Sequence, residues 1–249
     1  MNKDLIQKRF AKNLDTYNDN AKIQKRMAER LLSFLPKKDF SSILEIGCGT
    51  GFLTELINKE FVFDNYTAND IVSECETYVK KINPNINFVA DDIEIAIKNS
   101  NKTYDLIISN AAFQWVENLK EFIELLMSKL NKDGILLFST FGQENYREIN
   151  FVLGKTLPYY SVIDLDEILK NYERRIEQEM HVMAFKTPKD ILKHIKATGV
   201  NALEIVSWTK SDMQKFENGY NNFCSKTPTL TYHPIYVLLK KEGAEKVEK

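Results

Sequence analysis

Hydrophobic residues in the first 140 positions alternate between short apolar runs and stretches with helical spacing. The clearest helical stretch is 119–130, where apolar side chains recur every three or four residues and fall on one stripe. The short apolar runs are predicted to be strands at 42–46, 65–71, 86–92 and 135–141, with a further strand contained in 104–113. Strands that alternate with helices predict a doubly wound, mostly parallel sheet covered by helices on both faces.

This alternation stops after residue 141. The segment 142–178 is rich in tyrosine and charge, and it predicts a helical insertion after the fifth strand. Two further strands are predicted at 179–185 and 230–241, which gives seven. Between them, Thr187 and Pro188 predict a helix start and Gly199 its end. We therefore predict one α/β domain over 1–249, with N-terminal helices in 1–35.

Composition narrows the class of protein. The chain has 249 residues, is 43% hydrophobic and has a net charge of −1, which does not favour binding to nucleic acid. Its three cysteines are scattered and match neither a disulfide framework nor a metal site. No apolar stretch reaches the roughly 18 residues of a membrane span. We expect a cytoplasmic protein that binds no metal, membrane or nucleic acid.

The sequence LEIGCGTG follows the first predicted strand and points to a ligand site. Gly47, Gly49 and Gly51 allow a tight turn and a close approach of the backbone to a ligand. Phe52 occupies the position where the dinucleotide fingerprint requires its third glycine. Glu45 would repel a pyrophosphate but suits a ligand ammonium group. These residues argue against a nicotinamide oxidoreductase.

Further acidic residues end the next two predicted strands. Asp70 lies 19 residues after Gly51, where a carboxylate typically accepts from ribose hydroxyls. Asp91 and Asp92 end the third strand, in position to accept from an adenine amino group. Because the carboxyl ends of parallel strands meet at one edge, these acids predict a pocket for an adenosine that carries a charged amino acid.

The chain resembles the seven-stranded, Rossmann-like S-adenosylmethionine-dependent methyltransferases through LEIGCGTG, Asp70 and Asp92. It further resembles the malonyl-acyl-carrier-protein O-methyltransferases of biotin synthesis. The segments that carry this second resemblance are 9–32, 108–119, 138–149, 194–203 and 230–241. Asp91 departs from the pattern, since relatives usually have glycine there, and it is an alternative adenine contact.

The resemblance implies an activity, a cofactor and a partner. The activity is methyl transfer from S-adenosylmethionine to the free carboxylate of a malonyl group on acyl carrier protein, giving the ester that primes the pimeloyl chain of biotin. The cofactor-binding residues it implies are Glu45, Gly47, Gly49, Gly51, Asp70, Asp92, Ile93, Asn110 and Gln24. Gln114 and Trp115 follow Asn110 and are predicted to line the pocket.

The proposed reaction requires a residue that binds and orients a small anion, here called the clamp, and it does not require a general base. A carboxyl group with a pKa of ~4 is already ionised at neutral pH, so it needs alignment and exclusion of water. We expect Arg147 to be the clamp, or alternatively a surface residue paired with Glu144 or Glu148. Tyr17 is expected to close over the cofactor. His233, on the last strand, is a candidate to face the substrate in catalysis, but its residue type favours a buried histidine with satisfied hydrogen bonds.

An acidic acyl carrier protein would also need a local basic surface. The candidates are Lys155, Arg174, Arg175, Lys189, Lys193 and Lys196, each of which also fits an ordinary solvated surface. Other functions remain open: methylation of another small acid or of a quinone-like ring, or cofactor binding without catalysis. A nucleic-acid methyltransferase is disfavoured, because the fourth strand ends in SNAAF rather than [DN]PP[YF].

Overall fold

The computed structural model describes residues 3–154, 157–198, 208–224 and 227–241. Seven strands form one sheet in the order β3-β2-β1-β4-β5-β9-β6, and two form a separate sheet, β7-β8. The strands are β1 Ser42–Ile46, β2 Asn65–Asp70, β3 Asn87–Ala90, β4 Tyr104–Ser109, β5 Leu130–Phe141, β6 Glu173–Gln178, β7 His181–Ala184, β8 Thr229–Tyr232 and β9 Pro234–Lys240. The first five are parallel, whereas β9 is antiparallel to β5 and β6.

Helices connect the strands and cover the sheet. Their bounds are α1 Lys3–Ala11, α2 Leu14–Asn20, α3 Lys22–Leu32, α4 Phe52–Glu60, α5 Cys75–Ile82, α6 Ile93–Lys98, α7 Leu119–Ser128, α8 Arg147–Leu153, α9 Val162–Ile168, α10 Pro188–Ala197 and α11 Lys210–Phe223. Within these described elements, no helix combines the length and hydropathy needed to cross a bilayer. The predicted doubly wound α/β fold is confirmed.

The first strand shows why the sheet has two packed layers. Successive side chains of a strand point to opposite faces. Ile43 joins the core that contains α3 and α4, whereas Leu44 and Ile46 join the core that contains α7. Glu45 lies between them and points toward α4, where Thr54 donates to it. An acid is thus placed inside an otherwise apolar layer, at the edge where β1 ends.

The segment after β5 differs from the prediction. It contains the helices α8 and α9, but its last six residues form β6, an edge strand of the main sheet. The sequence ERRIEQ alternates between more exposed and less exposed positions, which is a strand pattern. Its charges suggested a helix, although charged side chains are also typical of edge strands because they oppose aggregation.

The last predicted strand, 230–241, is two strands. β8 pairs with β7 in the small sheet, and β9 pairs with β5 and β6 in the main sheet. The break falls at His233, directly before Pro234, which has no N–H for a ladder bond and begins β9. The predicted strand 179–185 corresponds to β7 and lies outside the main sheet. Seven main-sheet strands are present, but β6 rather than β7 is the seventh.

The helix after β7 begins as the sequence predicts. The Thr187 hydroxyl accepts from the backbone N–H of Asp190, and Pro188 is the first helical residue. Gly199, the predicted end, lies outside the described residues.

The strand order reverses at β1, since β2 and β3 extend the sheet on one side of it and β4 and β5 on the other. Ligands of doubly wound folds bind at such a point.

Candidate active site

A cavity of about 200 Å³ lies at this switch point, bordered by the carboxyl ends of β1 to β4 and covered by α1, α2 and α3. It brings together most of the residues that the sequence singles out. Those lining it are Tyr17, Gln24, Glu45, Gly47, Gly49, Asp70, Asp91, Asp92, Ile93, Asn110, Gln114 and Trp115. Gly51, Arg147 and His233 do not line it.

The glycine loop has the backbone conformation that only glycine adopts readily. Gly47, Gly49 and Gly51 have φ of 67°, 53° and 80°, in the left-handed region. A Cβ on Gly47 would also lie 2.6 Å from the Cβ of Ala112, across the cavity edge. Gly51 instead precedes α4, where a Cβ would meet Ile82 at 2.6 Å. Gly51 therefore lets the start of α4 lie close to Ile82 of α5, and its contact with the cofactor stays a prediction.

Asp70 holds the loop through backbone hydrogen bonds. Its Oδ2 accepts from the N–H of Gly49 at 2.8 Å, and its Oδ1 accepts from the N–H of Val72 at 2.9 Å. Burial raises the pKa of Asp70, while these bonds act in the opposite direction. The backbone N–H of Ile71 and the thiol of Cys75 also donate to Asp70 and favour its ionised form. Asp70 therefore fixes the conformation of the glycine loop, and its contact with a ribose diol stays a prediction.

Glu45 is buried at the end of β1. Thr54 and Tyr66 donate hydroxyl hydrogen bonds to its Oε2, at 2.6 and 2.5 Å. Burial raises the pKa of Glu45 to about 7, against the effect of these two bonds, and the nearby Asp70 adds to the increase. A cation entering the cavity would restore the ionised form of Glu45.

The end of β3 is joined to the N-terminal helix. Lys3 donates to Asp92 at 2.6 Å and also pairs with Glu94. Burial acts to lower the pKa of Lys3, but the two carboxylates raise it overall. Asp92 additionally caps α6 through the N–H of Glu94, whereas the exposed Asp91 accepts from the N–H of Asp92. Asp92 is thus the better anchored of the two alternative adenine contacts.

The N-terminal helices supply contacts that the sequence analysis missed. Gln7 donates to the backbone oxygen of Ile71 at 2.7 Å, and the ring of Phe10 lies next to Gly49. Phe10 also packs edge-on against Tyr17, with ring centroids 5.1 Å apart. Burial and the charge of Asp70 raise the pKa of Tyr17, so its hydroxyl stays protonated. These residues cover the cavity over the glycine loop.

Two glutamines present unpaired polar atoms on the cavity. Gln24 is 3% exposed, and neither its Nε2 nor its Oε1 finds a partner in the described structure. Gln114 donates to the backbone oxygen of Ala111, but its Oε1 is likewise buried without a partner. Asn110 has a partner at both ends of its amide, since it donates to the backbone oxygen of Gln24 and accepts from Ser139. Buried polar groups are normally paired, so these atoms indicate ligand contacts.

Arg147 lies outside the cavity, at the first position of α8. Its side chain is 48% exposed and lies 3.9 Å from the carboxylates of Glu144 and Glu148. This is the surface pairing that the sequence left as the alternative. The structure therefore does not support Arg147 as the clamp, because its charged group does not line the cavity.

His233 is also away from the cavity, at the break between β8 and β9. Its Nδ1 accepts from the backbone N–H of Glu144 at 3.1 Å, and its Nε2 lies 2.8 Å from Oε1 of Gln178. Burial lowers the pKa of His233, which favours the neutral ring. Both nitrogens are used to join neighbouring segments. This arrangement fits a buried histidine with satisfied ring nitrogens and does not support a catalytic role for His233.

Comparisons with known proteins agree with this geometry. A family model described as a methyltransferase domain matches residues 20–204. A malonyl-[acyl-carrier protein] O-methyltransferase of Calditerrivibrio nitroreducens is 37% identical, covering 93% of this chain and 94% of its own. The protein of the same description in Chlorobium luteolum is 34% identical over 96% of this chain and 95% of its own.

Solved structures match the fold at much lower identity. The BH2331 protein of Bacillus halodurans aligns with a TM-score of 0.59 at 14% identity, over 86% of this chain and 98% of its own. The YcgJ protein of Bacillus subtilis aligns with a TM-score of 0.56 at 10% identity, over 88% and 98%. These likenesses concern the fold alone.

Proposed function

Because the chain belongs to the malonyl-[acyl-carrier protein] O-methyltransferase family, a family of methyltransferases, we propose that it methylates the free carboxylate of a malonyl group carried by acyl carrier protein. The methyl donor in this proposal is S-adenosylmethionine, and the ester primes the pimeloyl chain of biotin. The observation that carries the proposal is a single cavity that combines the glycine loop, three strand-end acids and unpaired amide groups.

The cavity residues fit this cofactor. Gly47 and Gly49 line the cavity without side chains, Asp70 lines it at the end of β2, and Gln114 has an unpaired buried acceptor. Glu45, with its pKa near 7, suits a ligand ammonium group. When bound, the cofactor supplies a methyl group on a positively charged sulfur, which keeps the electron pair of the broken S–C bond as the acceptor oxygen forms the new O–C bond.

The chain's own residues bind, orient and exclude water. Asp70 fixes the loop, while Tyr17 and Phe10 close the cavity from above, as a cover formed by the N-terminal helices. Exclusion of water favours attack by an anion on a cation, because both charges disappear in the products. The acceptor carboxylate is already ionised at neutral pH, so the proposal assigns no general base.

The predicted docking residues differ in what they contact. Arg174 pairs with Asp166, Arg175 with Glu177, and Lys193 with Asp190. Lys189 and Lys196 lie on α10 and make no ion pair with the described residues. Lys155 lies outside those residues.

We therefore propose α10 as the part of the surface that meets the acidic carrier. It ends next to Thr198, which lines the cavity. All three cysteines are unpaired, which fits a reducing compartment, and we propose that the reaction takes place in the cytoplasm.

Mass spectrometry of malonyl-carrier protein incubated with enzyme and S-adenosylmethionine tests the proposal. We expect the carrier to gain the mass of one methyl group and the cofactor to be converted to S-adenosylhomocysteine. Free malonate and other small acids serve as competing substrates. Faster methylation of a free acid would favour the alternative substrate class, and absence of S-adenosylhomocysteine with every acceptor would favour a non-catalytic binding protein.

A further inference from the structure

Gln24 is the most deeply buried unpaired group of the cavity. It lines the cavity at 3% exposure, and both ends of its carboxamide lack a partner among residues 3–154, 157–198, 208–224 and 227–241. An unpaired buried donor or acceptor is costly, and native structures contain few of them. The carboxamide therefore indicates a ligand group, and its position in the sheet decides which one.

The sheet topology separates Gln24 from Asp70 and Asp92, the acids that are expected to contact the nucleoside. Asp70 and Asp92 follow β2 and β3, on one side of the glycine loop after β1. Asn110 follows β4, on the other side of β1, and its Nδ2 donates to the backbone oxygen of Gln24 at 2.9 Å. Gln24 is thus fixed on the β4 side, opposite the acids. This side remains for the methyl acceptor.

Building on the proposed function, we propose that the carboxamide of Gln24 binds the acceptor carboxylate through its N–H groups and forms an uncharged anion site. A carboxamide offers two N–H donors and an oxygen acceptor. The donors match a carboxylate, and the oxygen is left to accept from a second ligand group. This assigns Gln24 to the acceptor rather than to the cofactor.

An uncharged site suits the charge changes of the reaction. The carboxylate loses its negative charge as its oxygen forms the bond to the methyl carbon. A cation beside it would stabilise the ionised acceptor more than the transition state, in which that charge is already reduced, and would raise the barrier. A neutral donor orients the carboxylate with a smaller difference between the two states.

Two lysines of the described structure line the cavity and are rivals for this role. Lys3 is engaged by Asp92 and Glu94 on the nucleoside side. Lys25 follows Gln24 in the chain, but it is partly exposed and its Nζ lies 5.2 Å from the ring centre of Phe52. Lys25 is therefore closer to the cavity entrance than the buried carboxamide of Gln24. A substitution of Lys25 is the matched control for a substitution of Gln24.

The test measures binding of malonyl-pantetheine and acetyl-pantetheine by calorimetry in the presence of S-adenosylhomocysteine. These two ligands differ in the carboxylate. We expect the wild type to prefer the malonyl ligand and Gln24→Leu to reduce this preference about 10-fold to 100-fold. Affinity for S-adenosylhomocysteine should stay within about two-fold, which also shows that the variant is folded. Gln24→Glu should bind the malonyl ligand more weakly still and recover as the pH falls.

Lys25→Met and Arg147→Gln are measured in parallel. A larger loss of malonyl preference in Lys25→Met than in Gln24→Leu would overturn the assignment, and so would unchanged preference in Gln24→Leu. Loss of S-adenosylhomocysteine binding in a folded Gln24→Leu protein would return Gln24 to the cofactor. The proposed function fails separately, if the wild type neither prefers the malonyl ligand nor methylates malonyl-carrier protein.

Discussion

The two sides of the cavity differ in the kind of group they present. The side formed by the ends of β1, β2 and β3 carries backbone N–H groups and the carboxylates Glu45, Asp70 and Asp92. The side formed by α3 and the ends of β4 and β5 carries the uncharged residues Gln24, Asn110 and Phe141, and it also carries the partly exposed Lys25. The first side suits a cationic nucleoside, and in our proposal the buried uncharged groups of the second side bind the acceptor anion.

This difference predicts which ligand a substitution on each side of the cavity will affect. On the acidic side, several groups are candidates to bind the cofactor, and the hydrogen bond from Gly49 to Asp70 fixes the loop conformation that positions them. On the Gln24 side, the deeply buried carboxamide supplies both a free donor and a free acceptor. Substitutions in the loop should therefore lower affinity for the cofactor, whereas substitutions of Gln24 should lower affinity for the methyl acceptor.

Gly47→Val should have the largest effect. Valine is poorly tolerated at a φ of 67°, and its Cβ would lie 2.6 Å from that of Ala112. Together, left-handed strain and overpacking amount to about 2–5 kcal/mol, so we expect affinity for S-adenosylhomocysteine to fall about 100-fold or more. Calorimetry measures the affinity, and circular dichroism verifies that the variant is folded.

Gly154→Ala is the matched control for backbone strain. Gly154 also has positive φ, at 60°, but a Cβ there would meet nothing within 4 Å. It should lose about 1–2 kcal/mol of stability from strain while its ligand affinity stays unchanged. Normal ligand binding by a folded Gly47→Val protein would show that the loop does not approach the cofactor.

The sequence predicts the acidic side better than the Gln24 side. Glycines and strand-end acids at this spacing are a specific signal for a ligand site. The residues of this signal that line the cavity are Glu45, Gly47, Gly49, Asp70 and Asp92. A glutamine on an amphipathic helix fits many environments. Its sequence position did not reveal that both ends of its amide are buried and unpaired.

The region after β5 was harder to predict for a related reason. The charged sequence of β6 fits both a helix and an edge strand, and only its pairing with β9 decides between them. Similarly, the apolar run 230–241 reads as one strand, although it changes sheets at His233. Arg147 is predicted from its chemistry and its place after the fifth strand, and His233 from its place on the last strand. Neither residue lines the cavity, because long-range contacts hold both elsewhere.

Glu45 should give an intermediate effect that depends on pH. If a ligand ammonium binds the ionised form, affinity should fall as the pH drops below the pKa of about 7. Between pH 8 and pH 6 the expected loss is about 10-fold. Glu45→Gln should bind more weakly at pH 8 and show little change with pH, as titration calorimetry can measure. A pH-independent wild type would remove Glu45 from the ammonium site.

The ligand-free protein offers an independent measurement of the same carboxylate. The pKa of Glu45 is higher in the folded state than its ordinary value of 4.5, so the folded state holds the additional proton between these values. Stability should therefore fall as the pH rises from 4.5 to about 7, by about 3 kcal/mol from this group. Denaturant unfolding of Glu45→Gln should lack this loss, and an identical pH profile would contradict the burial of the charge.

Arg147→Gln should have the smallest effect and tests whether the acceptor side depends on a nearby cation. Its half-exposed guanidinium lies 3.9 Å from Glu144 and Glu148, and surface pairs at such distances contribute about 0–1 kcal/mol. We expect KM for malonyl-carrier protein and affinity for S-adenosylhomocysteine to change by no more than about two-fold. Steady-state kinetics measures the first and calorimetry the second. A rise in KM of about 10-fold with unchanged cofactor affinity would identify Arg147 as the clamp, because a selective rise of this size requires its guanidinium to contact the substrate from α8.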